Sequence, residues 1–122
     1  MALMALVNGE LVPIDPAEEA TILAQRAETH LQLLQNDIIE RAQKRLDDFA
    51  KTRGYDGILS LCSYVSSPTP KFAAEGSYGI VIRDATWAKL YEILAEVTGG
   101  ARQPPANFEE IELELPILLW PE

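Results

Sequence analysis

The sequence predicts a mainly α protein: a short N-terminal β-hairpin, one long helix, then a compact bundle of two to three helices with an extended C-terminal tail. Three observations carry this. No glycine or proline interrupts residues 17–53. Apolar residues through that stretch recur every three or four positions, the period of a helix with one buried face. Two proline-bearing linkers, Ser66-Ser67-Pro68-Thr69-Pro70 and residues 101–106, then divide the remainder. The expected organisation is a hairpin over 1–15, a long helix over 16–53 and a helical domain over 54–122.

The hairpin rests on Asn8-Gly9 between Ala5-Leu6-Val7 and Glu10-Leu11-Val12. Both turn residues tolerate the positive φ of a tight hairpin turn. Its arms are short, so it needs something to pack or pair against. Asp15-Pro16-Ala17-Glu18 announces the helix: Asp15 can cap and Pro16 suits the first turn. The apolar stripe reads Ile22, Leu23, Ala27, Leu31, Leu34, Ile38, Ala42, Leu46, Phe49. At 1.5 Å per residue the helix would span roughly 55 Å. That is more than a chain of this size needs, so the helix either breaks or meets another chain.

Gly54 is a suitable helix stop, and Asp56 can cap a short helix over 57–65. Thr69-Pro70 starts the next helix, expected over 70–97. Its stripe is Phe72, Gly76, Ile80, Arg83, Trp87, Leu90, Leu94, Val97. Residues 76–82 also fit a strand; the helical reading is kept. Gly99-Gly100 ends this helix, and Asn107 caps a short acidic one over 108–115 that Pro116 stops. The tail Ile117-Leu118-Leu119-Trp120 is apolar, whereas chain ends are normally polar and frayed. It must dock on its own core or on a partner.

The formal charge is −9, from 10 bases and 19 acids. Residues 1–20 and 107–122 hold four and five acids and no base, so the excess is terminal. Nucleic acid and anionic membrane surfaces need clustered Lys and Arg, and neither is expected as a partner. The acidic ends act in solubility or steer a basic partner. No run reaches transmembrane length. The apolar start lacks a basic region and is not expected to be a signal peptide.

No catalytic, cofactor or metal site is expected. His30 is the only histidine and Cys62 the only cysteine. A metal site needs several ligands, and no serine has a histidine to activate it. Gly76-Ser77-Tyr78-Gly79 lacks the lysine of a phosphate loop. Cys62 reads as a buried thiol, and Glu109, Glu110, Glu112 and Glu114 as a solvated face. Arg83 is the odd residue, a charge on an apolar stripe. It should be paired with Asp56 or Asp48, or stacked on Trp87.

The run Ala50-Lys51-Thr52-Arg53-Gly54-Tyr55-Asp56-Gly57-Ile58-Leu59-Ser60-Leu61-Cys62-Ser63-Tyr64 resembles small proteins encoded beside tail fibres in tailed phages. So do Phe72-Ala73-Ala74-Glu75-Gly76, Arg83-Asp84-Ala85-Thr86-Trp87-Ala88-Lys89-Leu90-Tyr91, and the ending with Pro104-Pro105, Glu109-Glu110-Ile111, Leu115-Pro116 and Trp120-Pro121. Asn8-Gly9-Glu10-Leu11-Val12-Pro13-Ile14 is similar to a phage tail-protein cassette.

The resemblance implies a tail-fibre assembly chaperone or fibre-associated subunit, with no catalytic residues to carry over. Its partner would be the tail-fibre polypeptide, expected to be trimeric, or another tail protein. Its place would be the host cytoplasm during assembly, or the virion tail if retained. Expected partner contacts are Leu6, Val7, Leu11, Val12, Ile22, Leu23, Leu31, Leu34, Leu118, Leu119 and Trp120. Arg83, Trp87, Tyr55 and Asp56 would be scaffold residues. The alternatives are a structural virion protein that links or decorates fibres, and a self-associating helical protein paired through the long helix.

Overall fold

The structure is a computed structural model that describes residues 4–7, 9–13 and 15–121, with side chains described for Gly9, Glu10 and 15–121. It is mainly helical: α1 (Pro16–Lys51), α2 (Ile58–Ser63), a 3-10 turn (Tyr64–Ser66), α3 (Pro70–Thr98) and α4 (Glu109–Glu112). The chain divides into two compact units, Met1–Leu34 and Gln35–Glu122, and the division falls inside α1.

In the first unit the backbone of Met4–Val7 (β1) pairs antiparallel with Glu10–Pro13 (β2). Asn8, on which the hairpin expectation turns, and the side chains of Leu6, Val7, Leu11 and Val12 lie outside the described residues. The start of α1 follows its sequence signal. The Ala17 N–H donates to Asp15 Oδ1 (3.1 Å), satisfying one of the unpaired donors of the first turn.

The second unit holds the core. Here α1 buries Ile38, Ala42, Leu46 and Ala50, one row at four-residue steps. Such a row is the ridge that packs into the groove of another helix, and its two alanines let the neighbour come close. Leu46 and Ala50 meet Ile58, Leu61 and Cys62 of α2 and Ile82 of α3. Phe108, Ile111 and Leu115 are buried as well. Cys62 is 6% exposed, and burial pushes its thiol pKa up, which keeps it protonated.

α2 starts differently from expectation. Asp56 makes no cap; Asp47 of α1 reaches across, and its Oδ1 accepts from the Ile58 N–H (2.9 Å). A cap from another helix is invisible to a local reading. α3 is continuous through residues 76–82, so that segment is helix rather than strand. Its buried face is Glu75, Gly76, Gly79, Ile82, Thr86, Leu90, Ile93 and Val97. The expected stripe shares only Gly76, Leu90 and Val97 with it. The reason is that α3 lies closest to its neighbours where its residues are smallest. A Cβ at Gly76 would sit 2.4 Å from the Val65 backbone nitrogen, and one at Gly79 would sit 2.7 Å from Leu61 Cγ. Close approach at these glycines rotates the bulky Ile80, Trp87 and Leu94 to the margin of the contact.

α4 is a single turn rather than an eight-residue helix. Its start is braced reciprocally: the Glu110 N–H donates to Asn107 Oδ1 (3.2 Å) and the Ala106 N–H to Glu110 Oε2 (2.8 Å).

At Gly76 the obstructing atoms are backbone and cannot swing away. Gly76→Ala is expected to destabilise the protein by about 2–3 kcal/mol, the scale of overpacking in a filled core. Ser77→Ala, on the exposed neighbouring position, should change stability by under about 0.5 kcal/mol. Urea unfolding midpoints of both variants against the parent protein measure this.

Candidate functional site

Two regions concentrate chemistry or unpartnered apolar surface, one in each unit. In the first unit, α1 carries its apolar residues on two faces rather than one stripe. Eleven residues make three helical turns, so Ile22 lies above Leu33 and Leu23 above Leu34, on faces about 100° apart. Leu23 is 49% exposed and Leu33 63%. Ile22, Leu31 and Leu34 are half-buried, and Ala27 is exposed. Ile22 and Leu33 wall a shallow depression of about 420 Å³ with Gln25, Arg26, Thr29 and His30. A second depression of about 370 Å³, formed by Ala17, Glu18, Thr21 and Ile22, adjoins it at Ile22. Leu33 was not singled out by sequence reasoning, because it stands off the stripe; its eleven-residue spacing from Ile22 was the available signal.

In the second unit the notable group surrounds Glu75. This carboxylate is 4% exposed. Arg53 Nη1 donates to its Oε2 at 2.6 Å, and the Tyr55 hydroxyl donates to its Oε1 at 3.0 Å. Both oxygens are thus satisfied, the condition for burying a charge. The Arg53 guanidinium also lies 5.0 Å from the centre of the Trp120 ring. Trp120 stacks on Phe49 (4.3 Å, 16°), and its Nε1 donates to Thr52 Oγ1 at 2.9 Å. The Tyr55 phenol is pushed up to about 12 by burial first, then by its bond to the Glu75 carboxylate.

This group replaces the arrangement expected around Arg83. Arg83 contacts its chain neighbour Asp84 (3.3 Å), while Asp48 is taken by Lys44. Asp56 pairs with neither. Trp87 lies 6.5 Å from Tyr91, centre to centre. α3 turns position 83 to the margin of its packed face, so Arg83 reaches water and needs no buried partner. The charge that α3 does bury is Glu75, eight positions earlier.

The C-terminal residues named as partner contacts divide. Leu118 and Trp120 pack on the chain's own core. Leu119 is 70% exposed, and its N–H donates to the Tyr78 hydroxyl (3.0 Å). The acids ahead of them are engaged rather than simply solvated. Arg41 pairs with Glu109 (2.9 Å), Arg45 with Glu112 (3.6 Å), and Arg102 with Glu114.

Among the described residues, no group of three or more His, Cys, Asp or Glu is placed to hold a metal ion. His30 is exposed on α1. No described helix is long and apolar enough to cross a membrane. No family model, curated protein or solved structure matches the chain.

Removing Arg53 strands a buried carboxylate. Arg53→Met is expected to cost about 2–3 kcal/mol, below the usual range for breaking a buried pair because the arginine side chain is 38% exposed. Tyr55→Phe should cost about 1 kcal/mol, and chemical denaturation measures both. Tyr55 also carries a pH signature. Its folded pKa stands above the unfolded value near 10, so folding favours the protonated phenol. The stability linked to it is fully present below pH 10 and lost as pH rises toward 12. Stability measured from pH 9 to 12 should fall less steeply for Tyr55→Phe than for the parent protein.

Proposed function

We propose that this protein is a non-catalytic tail-fibre assembly chaperone or fibre-associated subunit of a tailed phage, and that it binds the fibre polypeptide. The observation that supports binding is the first half of α1. The same helix that buries Ile38, Ala42, Leu46 and Ala50 carries Leu23 and Leu33 exposed. Helical propensity alone holds long helices weakly, and packing of an apolar face supplies most of their stability. Its apolar residues repeat after three turns, Ile22 with Leu33 and Leu23 with Leu34, and exposed apolar anchors along a helix are what a partner groove recognises.

The fibre as partner rests on the resemblance of residues 50–64, 72–76, 83–91 and 104–121 to proteins encoded beside tail fibres. The physics suits it. A fibre trimer exposes unpaired strand edges until assembly finishes, and such edges aggregate. A small acidic protein that covers apolar surface keeps the immature chain in solution. The N-terminal hairpin, with Leu6, Val7, Leu11 and Val12, is assigned to the same contact, together with Ile22, Leu23, Leu31 and Leu34.

Co-expression with the fibre gene beside it tests the reading. Soluble trimeric fibre should require this protein. The double variant Ile22→Glu/Leu23→Glu keeps good helix formers and should fold as the parent does, yet bind the fibre about tenfold more weakly, about 1.4 kcal/mol. Fibre yield and trimer content that are the same with and without the protein would end the proposal.

A further inference from the structure

The charge of the chain is uneven in its middle as well as at its ends. Lys51 to Ala74 holds three bases (Lys51, Arg53, Lys71) and one acid (Asp56); from totals of 10 and 19, the rest holds 7 bases and 18 acids. The fold brings two of the three bases to one place. Arg53 and Lys71 line a cleft of about 440 Å³ that Ala74, Glu75 and Pro121 complete. That volume is in the range of small-ligand clefts.

Arg53 is fixed there with donors to spare. Its Nη1 donates to Glu75 (2.6 Å), and the centre of the Trp120 ring lies 5.0 Å from its guanidinium carbon. A guanidinium carries donors on all three nitrogens. Among the described residues Glu75 is the acceptor for Nη1, and Nη2 and Nε have none. The side chain is partly exposed and forms a wall of the cleft. Lys71 makes no ion pair among the described residues. In the same unit Arg41, Lys44, Arg45, Arg83, Lys89 and Arg102 are each paired with an acid.

The lining selects the ligand. Glu75 is already committed to Arg53 and Tyr55, so Arg53, Lys71 and Glu75 together leave one positive charge. A single negative charge balances it, whereas a phosphate monoester, at about −1.5 to −2, exceeds it. A planar carboxylate also matches the edge of a guanidinium, through two parallel N–H···O bonds. Ala74 and Pro121 supply apolar walls for the group that bears it.

We infer that this cleft binds a carboxylate carried on a small apolar group. The carboxylate lies on the Nη2–Nε edge of Arg53, with the Lys71 ammonium beside it. Arg53 is held by Glu75 and Trp120 before the ligand arrives, which lowers the entropy cost of binding. The remaining surface, with its excess of acids, repels the same group and directs it here. The inference is independent of the fibre reading, which places its contact on the first half of α1.

The isotope-labelled full chain is titrated with sodium N-acetyl-leucinate to about 20 mM at constant ionic strength, to read a millimolar affinity. The Arg53 Nε–H and the Lys71 and Ala74 amide signals should shift and saturate. Neutral N-acetyl-leucinamide, of the same shape, should bind at least tenfold more weakly. Lys71→Gln, at an exposed position, should leave the fold intact and weaken binding about threefold, the scale of an exposed charge contact. Arg53→Lys keeps a cation for Glu75 but loses the fork, and should weaken binding at least tenfold while the rest of the spectrum is unchanged. Tighter binding of N-acetyl-Ala-Ala-Leu than of N-acetyl-leucinate supports the inference with a polypeptide chain end as the source; equal or weaker binding supports it with a free acid. Shifts that are absent, do not saturate or lie elsewhere would overturn it. So would equal binding of the amide, unchanged binding by Lys71→Gln, or tighter binding of inorganic phosphate.

Discussion

Burial of one carboxylate organises the second unit. Glu75 stands near the start of α3 and is nearly inaccessible to water. An unpaired carboxylate there would cost several kcal/mol. Arg53 and Tyr55, just beyond the end of α1, supply the donors. Their positions bind the α1 exit to α3 across the short α2. Trp120 then closes the group, resting on Phe49 with Arg53 over its face. The C-terminal segment is in this way part of the core, although it has no secondary structure of its own. The two glycines of α3 have a related role: they bring its first turns against α2 and the 3-10 turn, close enough for Glu75 to be shielded.

The same geometry separates what folds from what is left over. In the tail, the inward residues Leu118 and Trp120 are committed to the core, and the outward residues Ile117 and Leu119 are not. In α1, the row from Ile38 to Ala50 is committed, while Leu23 and Leu33 stay exposed. Both leftovers are apolar, and the tail sits on backbone fixed by neighbouring structure. Binding surface that is already ordered loses less conformational entropy when a partner arrives.

Much of the helical architecture was legible in the sequence. The long glycine-free and proline-free stretch, the Asp15 cap and the Thr69-Pro70 start give α1 and α3 nearly to the residue. The buried faces were less legible. A stripe chosen by apolarity favours Ile80, Trp87 and Leu94, but packing at Gly76 and Gly79 depends on smallness, which looks like weakness in one dimension. Arg83 drew attention because it interrupts a stripe, whereas Glu75 stood beside it unremarked, since its partners lie twenty or more residues earlier. The Asp47 cap of α2 and the Arg41–Glu109 and Arg45–Glu112 pairs were hidden for the same reason: each joins residues far apart in the chain. Nor does a helical stripe say where its cover ends, which is why the change between Leu34 and Gln35 needed coordinates.

The central claim is that α1 is one helix with two uses, its second half folding the protein and its first half binding a partner. Hydrogen exchange of the full chain, alone and with the fibre polypeptide, tests this most directly. Helical amides without tertiary cover open at low free energy, and those over a core open only with global unfolding. The amides of 35–51 should exchange slowly in both states; those of 16–34 should exchange rapidly alone and become protected with the partner. Equal protection of the two halves in the isolated protein, or no change in 16–34 on binding, would contradict the account.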